Sequence, residues 1–361
     1  MANFSNESAL QAAAAVDQFW MVAIPAVVLL CVVSLLINGT IVVSSRWIKR
    51  PLSPLVCITL SLCTADLCLC FWQGAGSILI FYLPDVIGFT GLSHRCFSLG
   101  LVIVRGGSAM TAVLHLLALT LHHYVGITRP LEYAAIMNPE RTYELIALMW
   151  LVPFLGILLV FSVIPGQAFQ APGCSEISFY RSFKFRFSLS TVILLPLLLM
   201  CLLYTRIVQV LNRRNKDQSL INQRSGRPAA KTKTIKTTLL YVGTFALGWV
   251  PALVVFCLKC EHGCPLKSWK LKGHFVRAAV NVLIVAKCIF NALVVAARDK
   301  EIRAALGKMC SAMRARQHND SPFGSLQIRK VSCPAGMGMT QVKTEVTIVP
   351  AEGRRRQLVS V

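Results

Sequence analysis

Residues 121–133 read LHHYVGITRPLEY. They close an apolar run that begins near residue 98 and turn it polar, through two adjacent histidines, His122 and His123, and then Arg129 and Glu132. A helix crossing a bilayer needs roughly 20 mostly apolar residues. The run ending here is one of seven that qualify: about 22–45, 56–81, 98–125, 142–164, 187–211, 236–258 and 275–297. Arg105, Gly106 and Gly107 interrupt the third, and Lys287 lies inside the seventh. The pattern predicts an all-α membrane protein, a seven-transmembrane helix bundle.

Composition points the same way. Hydrophobic residues make up 55% of the 361-residue chain and charged residues only 14%, against about 25% in an ordinary soluble domain. The net charge of +22 is not read as a nucleic-acid signal, because the basic residues sit in short connections and in the tail. That placement suits anionic lipid and cytoplasmic partners. Before the first span there is no Lys or Arg, whereas the first connection carries Arg46, Lys49 and Arg50. The positive-inside rule therefore places the N-terminus outside and the C-terminus in the cytoplasm. The stretch Arg206–Lys236 agrees, with nine basic residues and one acid, Asp217. The connection with Lys259, Lys267, Lys270 and Lys272 breaks the rule.

Residues 1–20 lack a signal-peptide pattern, so the first span is expected to act as its own insertion signal. The chain divides into an extracellular segment 1–21, a seven-span domain 22–297, an amphipathic surface helix 298–313 and a disordered cytoplasmic tail 314–361. Asn3 and Asn6 head sequons in the outer segment and are expected to be glycosylated. In RDKEIRAALGKMC, residues 298–310, apolar and basic residues alternate at helical spacing, as in a helix lying on a membrane. Cys310 at its end is a palmitoylation candidate, with a free thiol the equal alternative. Most of the fourteen cysteines lie inside apolar runs and read as small core residues.

Specific residues then fall one set per span. They are Asn38 in INGTIV; Asp66 in LSLCTADL; Tyr124, Ile127, Pro130 and Tyr133 after the third span; Trp150; Pro196 with Tyr204; Phe245, Trp249 and Pro251 in FALGWVP; and Asn291 in FNALVVA. With these marks in order, the chain resembles a rhodopsin-like G-protein-coupled receptor over about residues 22–312, an atypical member. The resemblance implies a plasma-membrane receptor without enzymatic activity or cofactor. An extracellular ligand, a small molecule or a lipid, would shift packing near Trp249. The sixth helix would then swing about Pro251 and admit a heterotrimeric G protein, with arrestin a further partner.

Two departures bear on that job. The family's Asp-Arg-Tyr reads His122-His123-Tyr124, and its Asn-Pro-x-x-Tyr reads Asn291-Ala292-Leu293-Val294-Val295. Arginine is always charged and presents five donors; histidine offers at most two and is mostly neutral near pH 7. Three readings stay open: coupling through loops and other helix ends, signalling that is weak, biased or absent (a decoy, arrestin-biased or partner-regulating receptor), and an intracellular pH switch. Metal binding by the pair is disfavoured, since helix neighbours point about 100° apart.

Charges inside the membrane mark partners or sites. Asp66 is the carboxylate deepest in any span, where the family helps hold a sodium ion. Lys287 lies four residues before Asn291, on one helix face, and the resemblance turns that face toward Asp66. The expectation is a buried Asp66–Lys287 ion pair replacing the sodium, with Asn291 beside it. Ala112, where the family often has serine, also argues against sodium. Retinal attachment at Lys287 is rejected, because the opsin lysine lies six residues before the asparagine. Arg105, Lys184, Arg186 and Arg277 gather toward the outer side with Trp249 below them. Converging arginines bind carboxylate or phosphate, so the ligand is expected to be an anionic lipid or organic acid; snorkelling to headgroups is the alternative.

By the resemblance, Cys174 pairs with Cys96, although Cys96 lies 27 residues before His123 where the family has 25. The two extra residues imply a bulge at Gly106-Gly107 or an earlier helix start. Cys260 and Cys264 are expected to form a small local disulfide, with a metal site using His262 the weaker reading. A transporter is disfavoured for want of an internal repeat and a second intramembrane acid. His115 reads as core polarity, not catalysis.

Overall fold

The computed structural model describes residues 2–89, 95–221, 229–258, 272–319, 326–330 and 344–348, with side chains described over 18–84, 86–89, 95–214, 240–258 and 275–316. Eight long helices follow one another: α1 Ala2–Ser44, α2 Pro54–Gly76, α3 Arg95–Thr128, α4 Pro139–Val163, α5 Phe183–Ile221, α6 Ala229–Leu258, α7 Lys272–Arg298 and α8 Lys300–Asn319. The first seven are each long and apolar enough to cross a membrane. Within a bilayer every backbone polar group needs an internal partner, and helices meet that demand segment by segment. Their starts are marked in the sequence. Pro54 and Pro139 open α2 and α4, where the missing N–H costs nothing. Asn138 caps α4 by accepting from Arg141 N at 2.8 Å, and Asp299 Oδ1 caps α8 by accepting from Glu301 N and Ile302 N.

Helix α3 is the centre of the bundle, packing on α2, α4, α5 and α6, while α1 and α7 meet to close the ring. Gly107 permits one of these approaches: a Cβ there would lie 2.8 Å from the Phe154 ring of α4. The expected bulge at Gly106-Gly107 is absent. Helix α3 instead runs without a break from Arg95, an earlier start that absorbs the two extra residues. The irregular winding lies after α2, which continues as a π-helix over Ser77–Ile87.

Cys96 and Cys174 form a disulfide. It ties the start of α3 to the connection before α5, which holds 3-10 turns at Ala168–Gln170 and Pro172–Cys174 and a helical turn at Ser178–Arg181. At the opposite end, α8 buries Ile302, Ala305 and Met309, one face at helical spacing, and packs on α1 and α7. Two boundaries differ from expectation. Helix α1 reaches back to Ala2, because residues 2–17 hold no proline or glycine to stop it. The segment expected to be disordered from residue 314 begins as helix through Asn319 and holds two antiparallel strands, Leu326–Lys330 and Thr344–Ile348, where apolar and polar residues alternate with the strand period of two.

Candidate functional site

The most ordered polar centre lies between α2, α6 and α7. Lys287 Nζ donates to Asp66 Oδ1 at 2.8 Å, and both side chains are essentially buried, at 1% and 0% exposure. Cys288 Sγ reaches the same oxygen at 3.4 Å. Asn291 Nδ2 donates to Oδ2 at 3.0 Å, and Thr244 Oγ1 of α6 donates to Asn291 Oδ1 at 3.0 Å. Every carboxylate oxygen is thus engaged by α7, and α7 is engaged in turn by α6. Burying two opposite charges is costly unless their remaining hydrogen-bonding capacity is met, and for Asp66 it is met. Asn38 of α1 adds a third tie, from Nδ2 to the Cys288 carbonyl at 3.5 Å. A second bridge joins α2, α3 and α4. Trp150 Nε1 donates to Ser61 Oγ at 3.0 Å, and Ser61 Oγ and His115 Nε2 are 2.7 Å apart. His115 Nδ1 lies 2.7 Å from the Thr111 carbonyl. A carbonyl only accepts, so the proton sits on Nδ1 and Ser61 donates to Nε2.

Toward the disulfide end the basic residues separate. Arg186 is folded onto its own chain: Nε donates to Tyr180 O at 3.0 Å and Nη1 to Phe256 O at 3.2 Å. Its guanidinium also lies over the Tyr180 and Phe256 rings, at 5.6 and 4.8 Å. Arg277 of α7 faces another direction. It lines a small cavity of about 20 Å³, room for roughly one water, with Trp20, Ile24, Ser77, Phe81 and Asn281. Lys184 is exposed and Arg105 half-buried on α3. The expected convergence of Arg105, Lys184, Arg186 and Arg277 on one anion is therefore not what the fold builds. Helix rotation sends Arg186 to α6 and Arg277 to α1 and α2.

At the other end of α3, His122 is buried and its Nε2 is hydrogen-bonded to the Tyr133 hydroxyl at 2.5 Å. Tyr133 stands on a single helical turn, Tyr133–Ile136, in the connection to α4. Burial raises its phenol above the ordinary value of 10, so the hydroxyl keeps its proton and donates. His122 Nδ1 is buried without a partner. The His122 and His123 rings are 5.6 Å apart and nearly perpendicular, in edge-on contact.

The sequence of residues 37–294 matches the family described as 7 transmembrane receptor (rhodopsin family). The chain belongs to that family. Among its relatives, the adenosine receptor A2b of Rattus norvegicus is 24% identical over 273 residues, covering 70% of this chain and 78% of the relative. The adenosine receptor A2a of Homo sapiens is 26% identical over 260 residues, covering 65% and 60%. The adenosine receptor A3 of Canis lupus familiaris is 26% identical over 200 residues, covering 52% and 63%.

This rhodopsin-family receptor is not an enzyme, and its membership implies an extracellular ligand and G-protein coupling. Trp249 and Phe245 are buried on α6, with Trp249 Nε1 lacking a partner, and Pro251 lies half-buried in the same helix. Tyr124 and Tyr204 are half-buried, and Cys310 is exposed. Cys260 and Cys264 lie outside the described residues, as do the side chains of Asn3 and Asn6. Among the described residues no group of three or more His, Cys, Asp or Glu is placed to hold a metal ion. Three contributors escaped the sequence reading: Cys288, Thr244 and Ser61.

Proposed function

We propose that this receptor sits in the plasma membrane and answers an extracellular ligand bearing an acid group, an anionic lipid or an organic acid, passing the signal to a heterotrimeric G protein. Residues 1–21 lie outside, glycosylated at Asn3 and Asn6. The tail lies in the cytoplasm, with Cys310 the acylation position beside membrane lipid and arrestin a further partner. The charge asymmetry of the first connection supports this orientation. One observation supports the ligand reading: Arg277 lines a small cavity with Ser77 and Asn281 for polar company and Trp20 and Phe81 as apolar walls. An acid group suits a guanidinium through charge-assisted hydrogen bonds, and a ligand larger than a water would have to part the Trp20 and Phe81 rings.

The test is a panel of fatty and small organic acids applied to cells expressing the receptor. Arg277→Gln is expected to weaken the response to an active acid roughly 10- to 100-fold, as loss of one charged hydrogen-bonded contact does. Arg186→Gln is expected to weaken it less. An active acid whose potency ignores Arg277 would overturn the assignment.

A second reading is favoured by the His122–Tyr133 bond, which occupies the position where the family carries its acid. Here the receptor is impaired in G-protein signalling and acts as a decoy or through arrestin. Ligand-free activation across the four G-protein families, native chain against a His122→Asp/His123→Arg variant at equal surface expression, separates the two. A native chain that signals supports the first reading; a response confined to the variant supports the second.

A further inference from the structure

Gly248 lies on α6 immediately before Trp249, and it is buried against α7. A Cβ at Gly248 would stand 2.8 Å from Lys287 Cβ and 3.2 Å from Lys287 Cγ, with the Leu283 carbonyl at 3.4 Å. The first distance is one that real carbon atoms do not adopt, and the atom it meets is the root of a side chain, not its mobile tip. The lysine stem therefore leaves α7 through a slot that exists only because α6 has no side chain there. Past that slot the ammonium reaches Asp66 of α2 at 2.8 Å. A lysine has four rotatable carbons and loses about 2 kcal/mol of rotamer freedom when fixed. The slot supplies part of the fixing. Other glycines of the bundle do not share this role: a Cβ at Gly243, also on α6, meets nothing within 4 Å.

We propose that Gly248 is a positioning residue for a cation built into the receptor. It seats the Lys287 stem so that the ammonium fills the place beside Asp66, and the bundle then needs no cation from solution. Displacing the stem leaves a buried carboxylate with Asn291 and Cys288 as its remaining partners. An unpaired carboxylate of that kind takes up a small monovalent cation, so the native protein is indifferent to sodium and a receptor with a blocked slot depends on it. The inference concerns the bundle alone and does not rest on the acid-ligand reading.

The experiment uses the full chain, purified and lipid-reconstituted, and measures its melting temperature in equal concentrations of sodium chloride and choline chloride. The native protein is expected to melt at the same temperature in both. Gly248→Ala is expected to lower the melting temperature by about 5 °C in choline and to recover part of that loss in sodium, because a ligand that binds only the folded state stabilises it. Lys287→Met is expected to gain the same sodium dependence. Gly248→Ala combined with Asp66→Asn is expected to lose it, and Gly243→Ala is expected to behave as native. A Gly248→Ala protein that is weakened but blind to sodium would reduce the glycine to packing and overturn the proposal. A native protein stabilised by sodium would instead overturn the built-in cation itself. Should Gly248→Ala fail to fold, Lys287→Arg decides: its stem keeps the slot, so sodium indifference supports the proposal and sodium dependence overturns it.

Discussion

The two polar centres of the bundle differ in how completely they are satisfied. Around Asp66 each carboxylate oxygen has a donor, the donor residue Asn291 is itself held by Thr244, and the ties span α2, α6 and α7. At the end of α3, His122 makes one hydrogen bond, to Tyr133, and its other ring nitrogen is buried with none. A satisfied network in a low-dielectric interior is stiff, and a partly satisfied one is easily rearranged. The first is built as a lock and the second as a latch. A movement of α6 would act on the first centre directly, because Thr244 lies on that helix and holds Asn291.

The largest effect is expected from breaking the lock on one side. Lys287→Ala or Asp66→Asn leaves a buried charge unpaired or a network half filled, a loss of roughly 3–5 kcal/mol. The check is thermal melting of purified receptor. The double variant Asp66→Asn/Lys287→Met removes both charges and keeps the volume, so it is expected to recover most of the loss. Equal damage from the single and double variants would mean that packing, not charge pairing, holds this centre.

A smaller loss is expected at the bridge beside it. Ser61 serves two groups, accepting from Trp150 and donating to His115. Ser61→Ala leaves an indole N–H and an imidazole nitrogen buried without a partner, at about 1–3 kcal/mol. Ser61→Thr keeps the hydroxyl and is expected to be milder. If alanine and threonine weaken the protein alike, the bridge contributes shape and no hydrogen bonding.

How much of this contrast was legible in the sequence follows from what each feature depends on. The seven spans depend on length and polarity alone, and their boundaries held to within about four residues except where α1 and α6 begin early, α2 gives way to a π-helix after Gly76 and α5 runs on to Ile221. The approach of Lys287 to Asp66 depends on a four-residue spacing to Asn291 together with the family marks, and both are written in the chain. The seat for Lys287 is not legible, because a glycine inside a helix has the same letter whether it faces open space, as Gly243 does, or a lysine stem. The arginines misled for a related reason. Arg186 and Arg277 both lie near the first turns of their helices, but Arg186 is held on the carbonyls of Tyr180 and Phe256 while Arg277 lies toward α1. Height rises by a fixed step per residue and can be read from sequence, whereas the neighbour a given direction meets is settled by packing.

The smallest effects belong to the latch. Tyr133→Phe removes the one partner of His122, at about 1 kcal/mol for a lost hydrogen bond. Its consequence for signalling is expected to exceed its consequence for stability, because the freed imidazole can turn toward the crevice. Basal G-protein activation should therefore change while the melting temperature falls by only about 2–4 °C; a shift in melting temperature with unchanged activation would make the contact a structural strut. The same residue sets a pH dependence whose sign follows from the raised phenol. An acid whose pKa is higher folded than unfolded keeps its proton longer in the folded state. Its contribution is thus constant below about pH 10 and is lost as pH climbs from the ordinary value toward the raised one. Native and Tyr133→Phe receptors are expected to keep a fixed difference in melting temperature from pH 6 to 9 and to converge above pH 10. A difference that disappears already near pH 6 would place the titration on His122 and turn the latch into a proton sensor.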